Sequence, residues 1–311
     1  MNLREEHLAT LARESKRLSE GIFAANTITG YSYDWDMFQA WCDAYARVSI
    51  PAEPDTVLLY LTDLIHQGKK LTTVNRRKCA IDHRHRTRGL SSPVTEEVKI
   101  MLYGACRIQG EKPRQMKAIT VNQLSRISGQ LAAVGTFTAL RDRSLLVLGF
   151  ATALRRSNLV ALKVEDIEQC DQGLIIHIDR EKQDQAGKGR AIAVTRGKRA
   201  ATCPIRTLGD WLKRRGKIPG CLYPRQGRGG GPLDGDSVTR IVKSRLKMIG
   251  IDPDQYGSHS LRAGFVTAAG IAGATDAQIA RQTGHRCLAT VRRYFRPAEL
   301  FRANTCAMVG L

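Results

Sequence analysis

The chain has 311 residues, 42% of them hydrophobic, which is enough for roughly two domains with apolar cores. Lysine and arginine number 49 against 29 aspartates and glutamates, giving a net charge of +20 at pH 7. This excess predicts a polyanionic partner, first of all nucleic acid, with an anionic membrane surface or a ribosomal contact as alternatives. The basic residues are spread along the chain, which disfavours a single disordered basic arm.

Cysteine usage and hydropathy narrow the class of protein further. The eight cysteines form no CxxC pair, which disfavours a zinc site and indicates reduced, mostly buried thiols. The segment Met1–Glu6 holds no apolar signal region, and no apolar run approaches the ~20 residues that span a bilayer. We therefore expect a soluble protein of the bacterial cytoplasm or nucleoid, with no membrane contact.

The first 110 residues have the patterns of helices. Aromatic residues follow Thr27 at helical spacing and predict a buried face, with base stacking as the alternative. These aromatic residues are Tyr31, Trp35, Phe38, Trp41 and Tyr45. Pro51 and Pro54 then break the pattern, and Asp55 is placed to cap a second helix.

A third helix is predicted to begin near Thr72 or Thr73, and a fourth follows Pro93. The third helix carries six basic residues, namely Arg76, Arg77, Lys78, Arg84, Arg86 and Arg88. Its apolar face is thin, so a solvated face and a phosphate-contacting face are equally good interpretations.

Residues 111–119 are polar, basic and interrupted by Pro113, which predicts an interdomain linker before a second domain at 120–311. The segment 138–154 of that domain is strongly apolar and predicts a buried helix. Two strands, Leu174–Asp179 and Arg190–Thr195, are predicted on either side of a long polar turn. The remainder is again helical.

Two arginine-bearing motifs of this domain suit phosphate binding. Arg155 follows the apolar helix, and an arginine held against a core is well placed for bidentate phosphate contact, with a structural salt bridge as the alternative. Ser258 is placed to cap a helix that carries His259 and Arg262 on one face. Free N–H groups in that first turn also favour an anion.

The last motif joins a histidine to a tyrosine. Thr275 and Gln278 predict a capping box for a helix that Gly284 ends, and His285 follows directly. Tyr294 comes nine residues later in a predicted short helix, flanked by Arg292, Arg293 and Arg296. Cationic neighbours favour a phenolate, which makes this tyrosine a candidate nucleophile.

In order and approximate spacing, these motifs resemble the tyrosine recombinase (phage integrase) family, especially its Cre-like members. The matching residues are Arg155, Lys182, His259, Arg262, His285 and Tyr294. The resemblance implies a mainly α fold with a small antiparallel β-sheet in two domains. Residues 1–110 would form a helical, SAM-like core-binding DNA-binding domain, and residues 120–311 an α+β catalytic domain with a C-terminal exchange helix.

The resemblance also implies a reaction on DNA. Tyr294 would attack a phosphodiester and form a 3′-phosphotyrosyl bond, while Lys182 protonates the leaving 5′-oxygen. His259 would take the tyrosine proton or bind the phosphate. The two arginines and His285 would stabilise charge on the non-bridging oxygens, so that no metal, cofactor or ATP is needed.

The resemblance further implies double-stranded DNA with paired inverted-repeat sites as the partner, and a homotetramer on the synapsed DNA. The expected DNA contacts are Arg76, Arg77, Arg84, Lys117, Ser237 and Arg240. The apolar segment after Pro297 is too short to be stable as a free helix and is predicted to dock into a neighbouring protomer, with burial in its own subunit as the alternative.

Several alternatives stay open at this point. Asn158 stands where the family often has an acidic residue, and Lys188 lies in the same turn as Lys182. A type IB topoisomerase uses related chemistry, and a catalytically silent DNA-binding protein would share the fold. A metal-dependent nuclease would need clustered carboxylates, of which the sequence offers no convincing example. Integration, excision, cointegrate resolution and dimer resolution are all compatible with the motifs, and the target DNA sequence is not encoded in them.

Overall fold

The computed structural model describes residues 3–20, 25–110, 115–179, 189–226, 231–285 and 287–292. The chain divides into two compact units, residues 1–114 and 115–311. Among the described residues, no helix is long and apolar enough to cross a membrane.

The first unit is helical, as predicted. Its helices in the described ranges are α1 (Leu3–Glu20), α2 (Ala25–Ala44), α3 (Pro54–His66), α4 (Leu71–Arg86) and α5 (Glu96–Gln109). The aromatic face of α2 forms the core: Trp35 and Phe38 are buried, and the Phe38 ring lies 5.0 Å from that of Tyr60 on α3. Tyr45, beyond the end of α2, is 60% exposed, so the core interpretation holds for the middle of the stripe.

Helix α3 begins differently from the prediction. Its N-cap is Glu53, and Pro54 occupies the first turn, where its fixed φ suits a helix and its missing N–H costs nothing. Asp55 therefore lies inside the first turn and pairs with Arg47 at 3.2 Å instead of capping the helix.

The second unit places helices around a three-stranded sheet. Its elements are α6 (Val121–Val134), α7 (Phe137–Thr152), α8 (Arg156–Ala161), β1 (Ile167–Cys170), β2 (Gly173–Ile178), β3 (Arg190–Thr195), α9 (Pro204–Arg215), α10 (Gly235–Met248), α11 (His259–Ile271) and α12 (Asp276–Thr283). The strand order is β1-β2-β3 and both pairings are antiparallel, which confirms the predicted fold class. Strand β1 was not predicted.

Helix α7 is the centre of this unit and packs against α6, α9, α11 and β3. Its run of large apolar residues, including Leu145, Leu146 and Leu148, is buried. Gly149 allows close packing, since a Cβ there would lie 2.8 Å from the Leu159 side chain. The predicted apolar helix is thus confirmed as the element on which the others are assembled.

The end of the predicted linker belongs to this unit. Lys117 N–H donates to the Gln255 carbonyl at 2.8 Å, and Ile119 N–H donates to the Ser260 carbonyl at 3.0 Å. Ile119 is buried in the core, and Gly264 of α11 leaves room for its carbonyl, with which a Cβ would collide. Residues 115–119 of the predicted linker 111–119 therefore belong to the second unit, because the buried side chain of Ile119 anchors them there.

Candidate active site

The turn between α7 and α8 positions the first arginine. Ala153 ends α7 in the left-handed conformation, with φ of 50°, and Arg155 follows in extended conformation at the N-cap of α8. The neighbouring Leu154 and Leu159 are buried, and Arg155 itself is half-buried.

Helix α11 contributes His259 and Arg262 from its first turn. Ser258 does not cap this helix: its backbone is already helical, at φ −57° and ψ −33°, and its side chain makes no capping bond. The Ser260 hydroxyl instead accepts the Gly257 N–H at 3.0 Å. The helix begins where it was predicted to begin, but the capping assignment was wrong, because a helical backbone at Ser258 replaces the extended one that a capping side chain needs.

Arg262 is the buried centre of the cluster, with 2% of its surface exposed. Its Nη1 donates to the Ala153 carbonyl oxygen at 2.7 Å, and its Nη2 donates to His285 Nε2 at 2.8 Å. One guanidinium therefore joins the end of α7 to the residue that follows α12.

Local and distant contacts fix His285. The capping box of Thr275 and Gln278 starts α12 as predicted, and Gly284 ends it in the left-handed conformation at φ 71°. Arg190 Nη1 donates to the carbonyl oxygen of Gln282 at 3.1 Å, and Gln282 Nε2 donates to the Ala151 carbonyl at 3.0 Å.

Two supports of this site, Arg190 and Gln282, were not predicted from the sequence. Their hydrogen bonds link α12 to β3 and to α7, across 92 and 131 residues of sequence. The available signal was slight: Arg190 is a single charged residue at the start of a predicted strand.

Both histidines lie in a cationic environment. Partial burial, followed by the nearby Arg262, lowers the pKa of His259. Burial, followed by Arg262, Arg155 and Arg190, lowers the pKa of His285 to about 4. Both imidazoles are therefore neutral at pH 7, and the cluster offers arginine charge to an anion such as a phosphate.

The chain that leads to the candidate nucleophile is anchored to the same helices. Residues 288–292 are helical, and Val291 is buried against Val266 of α11 and Ile279 of α12. Arg292 Nε donates to Asp276 Oδ2 at 2.7 Å. These contacts fix residue 292, two positions before Tyr294. Tyr294 itself, Lys182 and its alternative Lys188 lie outside the described residues.

The predicted DNA contacts on α4 differ in exposure. Arg76 is half-exposed and makes a two-pronged contact with Asp34, at 2.6 and 3.0 Å. Arg84 is exposed and lies over the Trp35 ring, 5.4 Å from its centroid. Arg77 is buried, and its Nη1 donates to the Tyr60 hydroxyl. It faces the interior of the first unit, which corrects its assignment as a DNA contact.

The remaining predicted contacts lie in the second unit. Lys117 and Arg240 are exposed. Arg240 also pairs with Asp234 at 3.3 Å. Ser237 is buried, and its hydroxyl and N–H both donate to Asp234 in the cap of α10, so we reassign it from DNA contact to helix capping.

Two further observations concern Asn158 and possible metal ligands. Asn158 is buried on α8 and accepts the Ser157 hydroxyl at 3.3 Å, a contact that an amide makes without adding charge. In the part of the chain that the structure describes, no group of three or more histidine, cysteine, aspartate or glutamate side chains could hold a metal ion.

Comparison with known proteins gives concordant matches. Residues 117–300 match the phage integrase family. An integrase/recombinase XerD homolog of Selenomonas ruminantium is 33% identical over 310 residues, covering 97% of this chain and 91% of that protein. The recombinase Cre of Escherichia phage P1 is 26% identical over 162 residues, covering 50% of this chain and 48% of Cre.

Among solved structures, a lambda integrase dimer bound to a COC′ core site has a TM-score of 0.61 at 18% identity. That match covers 91% of this chain and 75% of that one, and it shows a shared fold.

Proposed function

Because the chain belongs to the phage integrase family, whose tyrosine recombinases cleave and rejoin DNA strands, we propose that it carries out site-specific recombination through a 3′-phosphotyrosyl intermediate on Tyr294. The observation that carries the proposal is the convergence of Arg262, His285 and Arg155. The positive charge of the two arginines suits the non-bridging oxygens of a phosphodiester in its transition state, and the His285 imidazole is bonded to one of them, Arg262.

The reaction uses the remaining candidates in defined roles. The Tyr294 oxygen attacks phosphorus, a P–O bond to the tyrosine forms, and the bond to the 5′-oxygen breaks. Lys182 gives its proton to that oxygen, and His259 takes the phenolic proton, a role suited to a histidine that is neutral at pH 7. Attack by the 5′-hydroxyl of a partner strand reverses the step without ATP, metal or cofactor.

The proposed partner is double-stranded DNA, and DNA-bound relatives of the same fold support it. We assign the sequence-independent contacts to exposed basic residues, with Arg84, Lys117 and Arg240 as candidates and Arg76 as a weaker one because Asp34 neutralises it. The biological setting would be integration, excision or resolution of a mobile element or replicon.

The nucleophile is tested by trapping the covalent adduct. Wild-type protein is incubated with fragments of the DNA element that encodes it, with and without EDTA, and SDS-resistant complexes are isolated and their DNA sequenced. We expect the wild-type protein to form the same amount of adduct with and without EDTA. Tyr294→Phe should bind the same fragments and form no adduct.

Tyr103→Phe is the matched control, because Tyr103 is 70% exposed on α5 of the other unit. It should form adducts at the wild-type level. Adducts that persist in Tyr294→Phe would reject the nucleophile assignment, and adducts lost in EDTA would favour a metal-dependent nuclease. Relaxation of supercoiled DNA without exchange of partners would favour a type IB topoisomerase.

Assembly is proposed to depend on residues 300–311, which lie outside the described residues. We expect a monomer without DNA and a cyclic homotetramer on two paired inverted-repeat sites. Deleting residues 300–311 should leave binding to one site intact while abolishing synapsis and recombination, as measured by gel shift and by a recombination assay. Recombination by the truncated protein at the wild-type rate would show that residues 300–311 do not mediate assembly.

A further inference from the structure

A chain of hydrogen bonds runs through His285 from one helix to another. Arg262 Nη2 of α11 lies 2.8 Å from His285 Nε2, and His285 Nδ1 lies 2.6 Å from the Thr283 hydroxyl oxygen. The Thr283 hydroxyl in turn donates to the Ile279 carbonyl of α12 at 2.7 Å. Thr283 is fully buried, so its hydroxyl is held by these bonds and not by solvent.

The donors and acceptors of this chain fix where the protons are. A guanidinium has donors only, so His285 Nε2 must present its lone pair to Arg262. The proton of the neutral imidazole therefore sits on Nδ1. The Thr283 hydroxyl has a single proton, which goes to the Ile279 carbonyl, and its oxygen is then free to accept Nδ1–H.

We propose that Thr283 is a positioning residue that holds the His285 imidazole in the Nδ1–H form, so that Nε2 is the nitrogen directed at Arg262 and the phosphate site. The proposal rests on the function proposed above, in which His285 contacts the scissile phosphate. The left-handed Gly284 makes the contact feasible, because it turns the chain so that residue 285 folds back onto residue 283.

The positions of the surrounding charges explain why the proton location matters. Among the residues that the structure describes, the charged groups that act on His285 are Arg262 of α11, Arg155 before α8 and Arg190 of β3, and all three are cations. A bound phosphate would engage Arg262 and offset this charge, which favours a proton from solvent on the imidazole. Once Arg262 Nη2 turns from His285 Nε2 to the phosphate, that proton adds at Nε2, because Nδ1–H is already bonded to Thr283, and it points at a phosphate oxygen.

The tautomer can be read directly by nitrogen NMR of the full-length protein with ¹⁵N-labelled histidine, above pH 7. His285 is assigned by the signals that disappear in His285→Gln. We expect wild type to show a protonated Nδ1 and an unprotonated Nε2 at this residue. Thr283→Ser keeps the hydroxyl and should give the same pattern. Thr283→Val, of similar shape, removes the acceptor of Nδ1–H, so the ring should turn away from Arg262 Nη2 in part of the molecules and show a mixture of both forms.

Cleavage provides the second readout. Thr283→Val should lower the rate of adduct formation about tenfold, as loss of an outer partner of a functional histidine does, with unchanged DNA affinity. Thr283→Ser should restore that rate. If Thr283→Val does not fold, Thr283→Ala replaces it in both measurements.

The two readouts separate the failures of the two proposals. A wild-type His285 protonated at Nε2, or a Thr283→Val spectrum identical to wild type, would overturn the role of Thr283 whatever the enzyme does. Absence of wild-type adducts would instead overturn the proposed function and would leave the nitrogen spectrum as predicted.

Discussion

Two groups of arginines look alike in the sequence and differ in the structure. Arg76 and Arg77 of α4 both face Asp34, whose carboxylate is completely buried, so their charge is offset within the first unit. Arg262 in the second unit donates to the Ala153 carbonyl and the His285 imidazole, and its charge acts on His285, whose pKa it helps to lower. Burial alone therefore does not distinguish a structural arginine from a functional one.

The difference lies in how far the charge of each guanidinium still acts on its neighbours. A carboxylate partner cancels the field of an arginine, whereas a bond to a carbonyl or an imidazole does not. Burial lowers the pKa of both His259 and His285, and the charges of Arg262 and Arg155 lower both further. Charge held in this way costs stability, which is characteristic of sites that bind an anion.

The largest effect is expected for Arg262. Arg262→Ala should slow covalent adduct formation by about 10²–10³-fold, the loss typical for one group that stabilises transition-state charge. Arg262→Lys should recover little, because an ammonium cannot reproduce the two separate N–H bonds. The rate is measured in single turnover on the DNA fragment identified by trapping.

Arg76→Ala is the matched control for that comparison. Its partner Asp34 still pairs with Arg77, so we expect weaker DNA binding at most and an unchanged rate in DNA-bound enzyme. A rate loss in Arg76→Ala as large as that in Arg262→Ala would break the distinction between the two arginine groups.

The second effect concerns stability of the first unit. Asp34→Ala leaves Arg77, whose side chain is 8% exposed, without its carboxylate, and this should lower the free energy of unfolding by about 3 kcal/mol. Urea unfolding followed by the fluorescence of Trp35 and Trp41 measures it. Asp55→Ala removes an exposed ion pair with Arg47 and should cost less than about 1 kcal/mol. Equal losses would mean that the buried pair is no more important than the surface pair.

Local sequence signals predicted much of the fold and most of the described site. The capping box of Thr275 and Gln278 was predictable because both bonds join residues three apart. The spacing of His259 and Arg262 placed both in one helical turn. The ordered motifs also indicated the family, which the comparisons confirm.

Contacts between distant segments were not predictable in the same way. Strand β1 is short and mostly exposed, and it exists because Glu168 and Gln169 pair with residues of β2. The interior position of Arg77 depends on Asp34, 43 residues earlier, and no local pattern separates it from the exposed Arg76. The support of His285 by Arg190 likewise requires β3 to meet the end of α12.

The smallest effect is a difference in pH dependence that tests the lowered pKa of His285, to which burial and the charges of Arg262, Arg155 and Arg190 contribute. The pKa of His285 is about 4 in the folded protein. In the unfolded chain it returns to about 6.5. Between these values the unfolded state binds a proton that the folded state does not, so the free energy of unfolding falls as the pH is lowered through this window.

The slope for one histidine is at most about 1.4 kcal/mol per pH unit, and solvent near this partly exposed ring reduces it. His285→Asn removes the contribution, so its free energy of unfolding should fall less steeply than that of wild type between pH 7 and pH 5. The wild-type and His285→Asn measurements share the other titrating groups, including His259, so subtracting them isolates the effect of the His285 pKa on stability. Parallel curves would mean that burial and the charges of Arg262, Arg155 and Arg190 do not lower this pKa, and the contrast with the neutralised arginines of α4 would then lose its support.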